Sequence, residues 1–329
     1  MNTVAFFNNK GGVGKTTLVY HLAWMFAERG ETVLAVDLDP QANLSSMFLD
    51  EAKLELLWPA DEHPRTIHGA LRPIIRGLGD VATPHVELIA SRLGLVVGDL
   101  ALSTFEDRLS AAWLSCHNKA EAAFRTMTAF HRGARKAAAE FSADWILIDV
   151  GPNLGAINRA ALIASDYVVI PLAPDLFSLQ GLRNLGPSLR EWRESWRELG
   201  PKNPDPSLDM PKGNLEALGY VVMQQSMRDN RPVKAFQRWI ARFPAAYRES
   251  VLGVSGEGPA ADDDPNRIAI LRHYRSLVPM AMEARKPVFA LKPADGAIGA
   301  HTEGVQRAFG DFNLLAERIA ERIGKAAVT

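Results

Sequence analysis

The stretch Asn9–Thr17 constrains the fold more than any other, because its letters N-K-G-G-V-G-K-T-T demand a particular backbone turn. A short apolar run of the buried-strand type, Val4–Phe7, precedes it, and apolar residues at helical spacing follow it until Gly30. In a strand, glycine-rich turn and helix, backbone N–H groups converge on a phosphate. Lys15 is placed to reach the β- and γ-phosphates, and the Thr16 hydroxyl is placed to ligate Mg²⁺. We therefore predict that ATP binds through Gly11, Gly12, Val13, Gly14, Lys15, Thr16 and Thr17.

Two later strands are predicted to end in carboxylates. The run Thr32–Val36 leads into Asp37 and Asp39, and the run Trp145–Asp149 is apolar until its last residue. Ligands of open parallel sheets bind at the carboxyl ends of the strands, so these side chains are expected beside the glycine-rich turn. Asp149 has the Walker B position, from which a carboxylate holds Mg²⁺, usually through water.

The sequence departs from the standard P-loop pattern in a way that is typical of one family. Asn9 stands where glycine is usual, and a second lysine, Lys10, precedes the glycine pair. With D-x-D-P-Q after the second strand and G-P-N-L-G after Asp149, the chain resembles the ParA/MinD family of deviant Walker A P-loop ATPases. The resemblance is dense over residues 3–49 and 144–186. Val150-Gly151 replaces the usual Thr-Pro of that family's switch II loop.

The resemblance implies several roles. Asp39 would position the attacking water, and Asp37 would support the Mg²⁺ shell. Lys10 would reach across a two-fold homodimer to the partner's nucleotide. Gln225 and Pro279 would pack near the adenine. The family also implies non-specific DNA binding and hydrolysis triggered by a ParB-like protein or another cargo adaptor.

The composition of the chain indicates the cellular compartment in which we expect it. The chain has 329 residues, 47% of them hydrophobic, a net charge of −1 and one cysteine, Cys116. A single cysteine allows no disulfide within the chain, so we expect a reducing cytoplasm and a buried Cys116. We expect no signal peptide, because the first strand begins at the start of the sequence, and no membrane span, because no apolar run reaches the required length.

The alternation of strand and helix patterns predicts an α/β fold with a mostly parallel twisted sheet and helices on both faces. We expect one P-loop ATPase domain over residues 1–329, with a helical segment at about 50–141 and a divergent C-terminal third. The less regular regions are assigned a strand at Val86–Ala90, helices at Asp99–Cys116 and Glu121–Phe141, a last strand at Ser276–Pro279 and a final helix at Ala308–Ile323.

Two basic stretches are candidates for DNA contact. Residues 228–248 carry an excess of five positive charges, and residues 267–286 an excess of four. In a nearly neutral chain this asymmetry suits a phosphate backbone, although charge runs are often ordinary solvated surface. The expected contacts are Arg231, Lys234, Arg238 and Arg242.

Two other functions remain open on the sequence. A MinD-like ATPase that cycles on membranes needs an amphipathic C-terminal helix, and Phe312–Ile323 is amphipathic with mixed charge on its polar face. An ATP-dependent ligase is also possible, because the P-loop does not name the phosphoryl acceptor. Within the ATPase reading, the cargo itself is unspecified.

Overall fold

The computed structural model describes residues 1–59, 62–223, 233–256, 258–274 and 276–326, with the backbone alone for 233–235. Its described strands form one eight-stranded sheet in the order β3-β4-β2-β5-β1-β6-β7-β8. Every neighbouring pair is parallel except β3 and β4. The strands are β1 (Asn2–Phe6), β2 (Val33–Asp37), β3 (Glu87–Ala90), β4 (Leu93–Val96), β5 (Trp145–Asp149), β6 (Tyr167–Leu172), β7 (Glu216–Met223) and β8 (Arg267–Leu271).

Strand register brings the sequence motifs to one edge of the sheet. Phe6 of β1 and Asp37 of β2 are both in register with Asp149 of β5, which lies between them. The glycine-rich turn leaves β1 at this level, so the turn and the carboxylates that end β2 and β5 share the carboxyl edge of the three central strands.

Helices cover both faces of the sheet. Successive side chains of a strand point to opposite faces, and here both faces are apolar. Ala5 and Ile148 belong to one buried cluster, and Val4 and Leu147 belong to the other. The helices are α1 (Lys15–Glu28), α2 (Asn43–Phe48), α3 (Glu51–Leu57), α4 (Ile67–Arg76), α5 (Glu106–Cys116), α6 (Glu121–Met127), α7 (Ala129–Phe141), α8 (Ala156–Ile163), α9 (Leu176–Leu199), α10 (Val233–Ile240), α11 (Phe243–Tyr247), α12 (Leu277–Ala284) and α13 (Ala300–Ala326).

The predicted fold class is confirmed, and Cys116 is fully buried as expected. Four points differ from the sequence-based predictions. The expected helix Asp99–Cys116 is a 3₁₀ segment, Leu100–Phe105, followed by helix α5. The expected helix Glu121–Phe141 is two helices, α6 and α7, that meet at Thr128. Strands β4 and β8 have no counterpart in the sequence reading. The expected strand Ser276–Pro279 is wrong, because these residues begin helix α12.

Among the residues that the structure describes, no helix combines the length and the apolar character needed to cross a bilayer.

Candidate nucleotide site

The turn between β1 and α1 presents backbone donors to an anion. Gly12 and Gly14 have φ angles of 71° and 91°, a left-handed conformation that side chains disfavour. Gly14 is the N-cap of α1, and no side chain caps this helix end. The first N–H groups of α1 therefore stay available to a ligand, with the positive end of the helix dipole behind them.

Lys15 forms the cationic floor of this turn. Only 7% of the residue is exposed. Its Nζ lies 3.4 Å from the backbone oxygen of Lys10, so the side chain folds back under the loop. Burial lowers the pKa of Lys15, while the charges of Asp149 and Asp39 act to raise it. The position suits a charge that meets phosphate oxygens.

Asp37 and Asp149 lie side by side but differ in their partners. The carboxylate of Asp37 accepts hydrogen bonds from the Ser45 backbone N–H at 2.8 Å, the Ser45 hydroxyl at 2.7 Å and the Asp39 N–H at 3.2 Å. Burial raises the pKa of Asp37 to about 7 despite these bonds. Neither buried oxygen of Asp149 makes a hydrogen bond of ordinary geometry. Burial, reinforced by the negative charge of Asp37, raises the pKa of Asp149 well above its ordinary value, although the nearby Thr16 hydroxyl and Lys15 ammonium act to lower it.

This carboxylate arrangement fits a divalent cation. Two buried Asp149 oxygens without ordinary hydrogen bonds, next to a second carboxylate, are costly. A divalent cation would add to the single positive charge of nearby Lys15. The described residues contain no group of three or more His, Cys, Asp and Glu side chains that could hold a metal ion. Mg²⁺ needs no such protein cage, because it binds through one or two carboxylates with substrate phosphates and water. Three residues are expected to hold Mg²⁺. Asp149 has carboxylate oxygens without ordinary hydrogen bonds, and Thr16 lies in the first turn of α1. The Asp37 carboxylate is already hydrogen-bonded to Ser45.

Asp39 and Lys10 flank the same edge. Asp39 is 6% exposed and accepts a hydrogen bond from the Gln41 N–H at 3.0 Å. Lys10 forms an ion pair with Asp175, the residue that caps helix α9, and its Nζ lies 5.8 Å from the centre of the Phe177 ring. In this single chain Lys10 therefore points away from its own glycine-rich turn toward α9.

A cavity of about 540 Å³ opens directly beside the turn. That volume lies in the range of small-ligand pockets. Most of its wall is apolar or aromatic, and residues far apart in the sequence supply it: Gly12, Val13, Gly14, Thr17, Tyr20, His21, Met223, Arg272, His273, Tyr274, Val278, Ala281, Met282 and Phe312 are among its lining residues. Such a wall suits a purine base.

The family resemblance predicts that Pro279 and Gln225 lie near the adenine. Pro279 is exposed in the first turn of α12 and is not among the lining residues, whereas its neighbour Val278 is. Gln225 lies outside the described residues. The sequence reading missed Tyr20 and His21, although the apolar helix that carries them follows the motif directly, and it missed the loop Arg272–Tyr274.

Two groups of basic residues are candidates for DNA contact in the described structure, whereas Arg267 and Lys286 of the second stretch form ion pairs with Asp262 and Asp295. On and after α10, Arg238 and Arg242 are exposed, and their guanidinium groups lie 5.7 and 5.4 Å from the centre of the Trp239 ring. Lys234 belongs to α10 with its side chain undescribed, and Arg231 lies outside the described residues.

The second group lines a smaller cleft of about 230 Å³ between the loop after β8 and the start of α13. Among the described residues, its lining contains Arg272, His273, His301 and Arg307 and no acidic side chain. Arg272 and His273 also line the larger cavity, so one loop forms part of both.

Comparison with known proteins bears on the family and the fold of the chain. The family model described as an AAA domain matches residues 1–199. IncC of Escherichia coli is 31% identical over 255 residues, which cover 77% of this chain and 59% of IncC. The chromosome partitioning protein ParA of Myxococcus xanthus is 32% identical over 181 residues, 54% of each chain. A Corynebacterium diphtheriae protein of known crystal structure has the same fold, with a TM-score of 0.72, 24% identity and 98% coverage of both chains. The matched regions thus span less than two thirds of either curated relative.

Proposed function

Since the chain belongs to the ParA/MinD family of P-loop ATPases, we propose that it is a ParA-like ATPase that segregates or positions DNA or another cargo. In this proposal it binds ATP with Mg²⁺, forms a homodimer around the nucleotides and binds DNA without sequence preference. A ParB-like protein or another adaptor then stimulates hydrolysis. The observation that carries the proposal is the uncapped glycine turn of α1, placed between the buried Asp149 carboxylate and the large cavity.

Each group of residues at the site has its own proposed role in binding and hydrolysis. The N–H groups of Gly11–Thr16 and the Lys15 ammonium hold the phosphates, and the aromatic wall of the cavity excludes water from the base. Asp149 and Thr16 would hold Mg²⁺, with Asp37 fixed behind them by Ser45. When bound, the metal would neutralise charge on the phosphates. Asp39 would accept a hydrogen bond from the attacking water.

Nucleotide binding is tested by calorimetry with ATP and Mg²⁺ on the parent and on Lys15→Ala. Loss of the charge that faces the phosphates is expected to weaken binding at least tenfold. The matched control is Lys119→Ala, an exposed lysine after α5. If Lys15→Ala binds ATP as tightly as the parent, the P-loop assignment is wrong.

DNA binding is proposed to require ATP and to weaken steeply with salt through counterion release. Two double variants separate the basic groups: Arg238→Ala with Arg242→Ala, and Arg272→Ala with Arg307→Ala. The loop that carries Arg272 also lines the larger cavity, so the second pair explains more directly how nucleotide would control DNA affinity. The affinity for DNA is measured by fluorescence anisotropy, with and without ATP, on two duplexes of unrelated sequence. A sequence-specific preference, or ATP-independent binding, would contradict the proposal.

The membrane-cycling alternative meets a structural obstacle. Although Phe309 and Leu314 of α13 are exposed, four other apolar residues of this helix are buried in the core that contains α1: Phe312, Leu315, Ile319 and Ile323. This surface would have to leave the core before it could bind lipid. Flotation with anionic liposomes and ATP tests that alternative, and DNA-stimulated ATP hydrolysis without any other substrate would argue against the ligase alternative.

A further inference from the structure

The loop that follows Asp149 is held by side chains from two helices. It runs from Val150 to Gly155 and connects β5 to α8. It is also the segment where Val150-Gly151 departs from the family pattern, so the usual proline is missing at position 151. The loop keeps Pro152. Glycine at position 151 nevertheless has more backbone freedom to lose than proline, so side chains that hold this backbone make the loop more rigid.

Asn158 supplies one restraint from inside α8. The residue is 1% exposed. Its Nδ2 donates to the backbone oxygen of Gly151 at 2.8 Å and of Asn153 at 2.7 Å, and it lies 3.0 Å from Asn153 Oδ1. One buried amide group thus ties both ends of the Gly151–Asn153 segment to the helix that follows. A buried group with all its donors engaged fixes its partners strongly.

Glu106 of α5 supplies the second restraint. Its two carboxylate oxygens accept hydrogen bonds from the N–H groups of Ala156 at 2.5 Å and Ile157 at 2.9 Å, which begin α8. It caps this helix end in place of Gly155, which has no side chain to do so. A Cβ on Gly155 would lie 2.6 Å from Glu106 Oε1, so the contact requires glycine there. The start of α8, and with it Asn158, is therefore fixed to α5.

The restrained loop abuts Asp39. A Cβ on Gly151 would lie 3.3 Å from Asp39 Oδ1 and 3.7 Å from Asn158 Nδ2. The Cβ position of Gly151 thus lies close to both the Asn158 amide and the Asp39 carboxylate, so the three groups meet at one place. The ends of strands β2 and β5 meet at the same place, where the Leu38 N–H donates to the backbone oxygen of Asp149 at 2.9 Å.

We infer that Asn158 is a positioning residue for hydrolysis, which acts by holding the Gly151 backbone against the Asp39 carboxylate. This inference rests on the proposed function, because it assigns Asn158 a part in the ATPase reaction at that site. The amide replaces the rigidity that a proline at position 151 would give. A misplacement of about 1 Å near reacting groups costs up to about 100-fold in rate. Release of the loop should therefore lower turnover while nucleotide affinity stays near that of the parent.

The first test compares Asn158→Asp with Asn118→Asp, the same chemical change at an exposed position after α5. Asn158→Asp removes the donor and sets a carboxylate against two backbone oxygens. We expect kcat for ATP to fall at least tenfold, with the dissociation constant for ATP and Mg²⁺ within threefold of the parent. The Asn118 control should match the parent in both. Unchanged kcat in a folded Asn158→Asp would overturn the inference.

The second test does not depend on the fate of the amide. Gly151→Ala keeps Asn158 and inserts a methyl group toward Asp39 Oδ1. The backbone of Gly151 has no positive φ, so alanine fits its conformation. Gly151→Ala should also lower kcat with little change in ATP affinity, and this variant decides the question if Asn158→Asp does not fold.

The decisive readout is a double-mutant cycle on kcat. If Asn158 and Gly151 act through Asp39, neither substitution should lower kcat further in an Asp39→Ala background. Independent, multiplicative losses would mean that the loop restraint is merely structural. A parent protein that binds ATP but never hydrolyses it, with or without DNA, would instead refute the proposed function and with it any role of Asn158 in turnover.

Discussion

His21 should make the stability of this protein depend on pH in a calculable way. The imidazole is 4% exposed in helix α1 and lines the cavity beside the glycine turn. Its Nε2 accepts a hydrogen bond from the Val288 N–H at 3.1 Å, so the proton sits on Nδ1, which donates to the Thr17 oxygen at 2.7 Å. The ring stacks on Phe312 with centroids 4.7 Å apart. Protonation would place a charge among these rings and remove the acceptor for Val288.

The magnitude follows from the pKa. Burial lowers the pKa of His21 from 6.5 to about 4. The unfolded chain therefore takes up a proton that the folded chain refuses, and stability is lost as the pH falls from 6.5 through 4. At about 1.36 kcal/mol per unit, the full loss approaches about 3 kcal/mol, of which about 2.5 kcal/mol is gone at pH 4.5. Above pH 6.5 the contribution is complete.

The assay isolates His21 from all other titrating groups. Urea unfolding of the parent and of His21→Gln is followed by tryptophan fluorescence at pH 7.5 and pH 4.5. Glutamine cannot titrate, so the free energy of unfolding of the parent relative to the variant should fall by about 2.5 kcal/mol between the two pH values. A relative stability that is the same at both pH values would refute the reasoning, because it would mean that His21 is not held neutral by its surroundings.

Three further outcomes are expected. Asp39→Ala should bind ATP and Mg²⁺ like the parent yet turn over at least tenfold more slowly at saturating ATP, and equal turnover would remove Asp39 from the mechanism. Lys10→Ala should keep ATP affinity but lose ATP-dependent dimerisation in light scattering and the stimulated ATPase; a variant that still dimerises and turns over normally would place Lys10 outside the reaction. Gly186→Ala would put a Cβ 2.2 Å from the Ser250 oxygen, so the midpoint of urea unfolding should drop by an amount equivalent to about 1–3 kcal/mol, and an unchanged midpoint would mean that the helix can shift freely.

The central strands and the position of the glycine-rich turn were predictable because their signals are local. The run before Asn9 is apolar, the glycines follow at fixed spacing, and Asp149 ends a strand of five buried residues. Parallel strands then bring their carboxyl ends together without further information. The family resemblance assigns roles to Asp39, Lys10 and the residues of the glycine-rich turn. These roles stay predictions, which the geometry of the site supports.

The parts that escaped prediction depend on contacts between distant segments. Lys10 meets Asp175, which lies 165 positions away, and Phe312 reaches the cavity from the last helix. The expected strand Ser276–Pro279 failed for a different reason. Its short apolar run suits either a strand or a buried helix, and Pro279 falls in the first turn of α12, where a missing N–H costs nothing.

An open sheet also has two rims at which a foreign strand could add, and here both are obstructed. At one rim, β3 has four residues and an irregular register with β4, and its Glu87 forms an ion pair with Lys53. At the other rim, α13 lies over β8, where Arg318 donates to the Ile268 backbone oxygen at 2.6 Å. Short, charged or covered edges resist strand addition and aggregation. Copies of this chain that associate are therefore expected to meet through side chains rather than by extending each other's sheet.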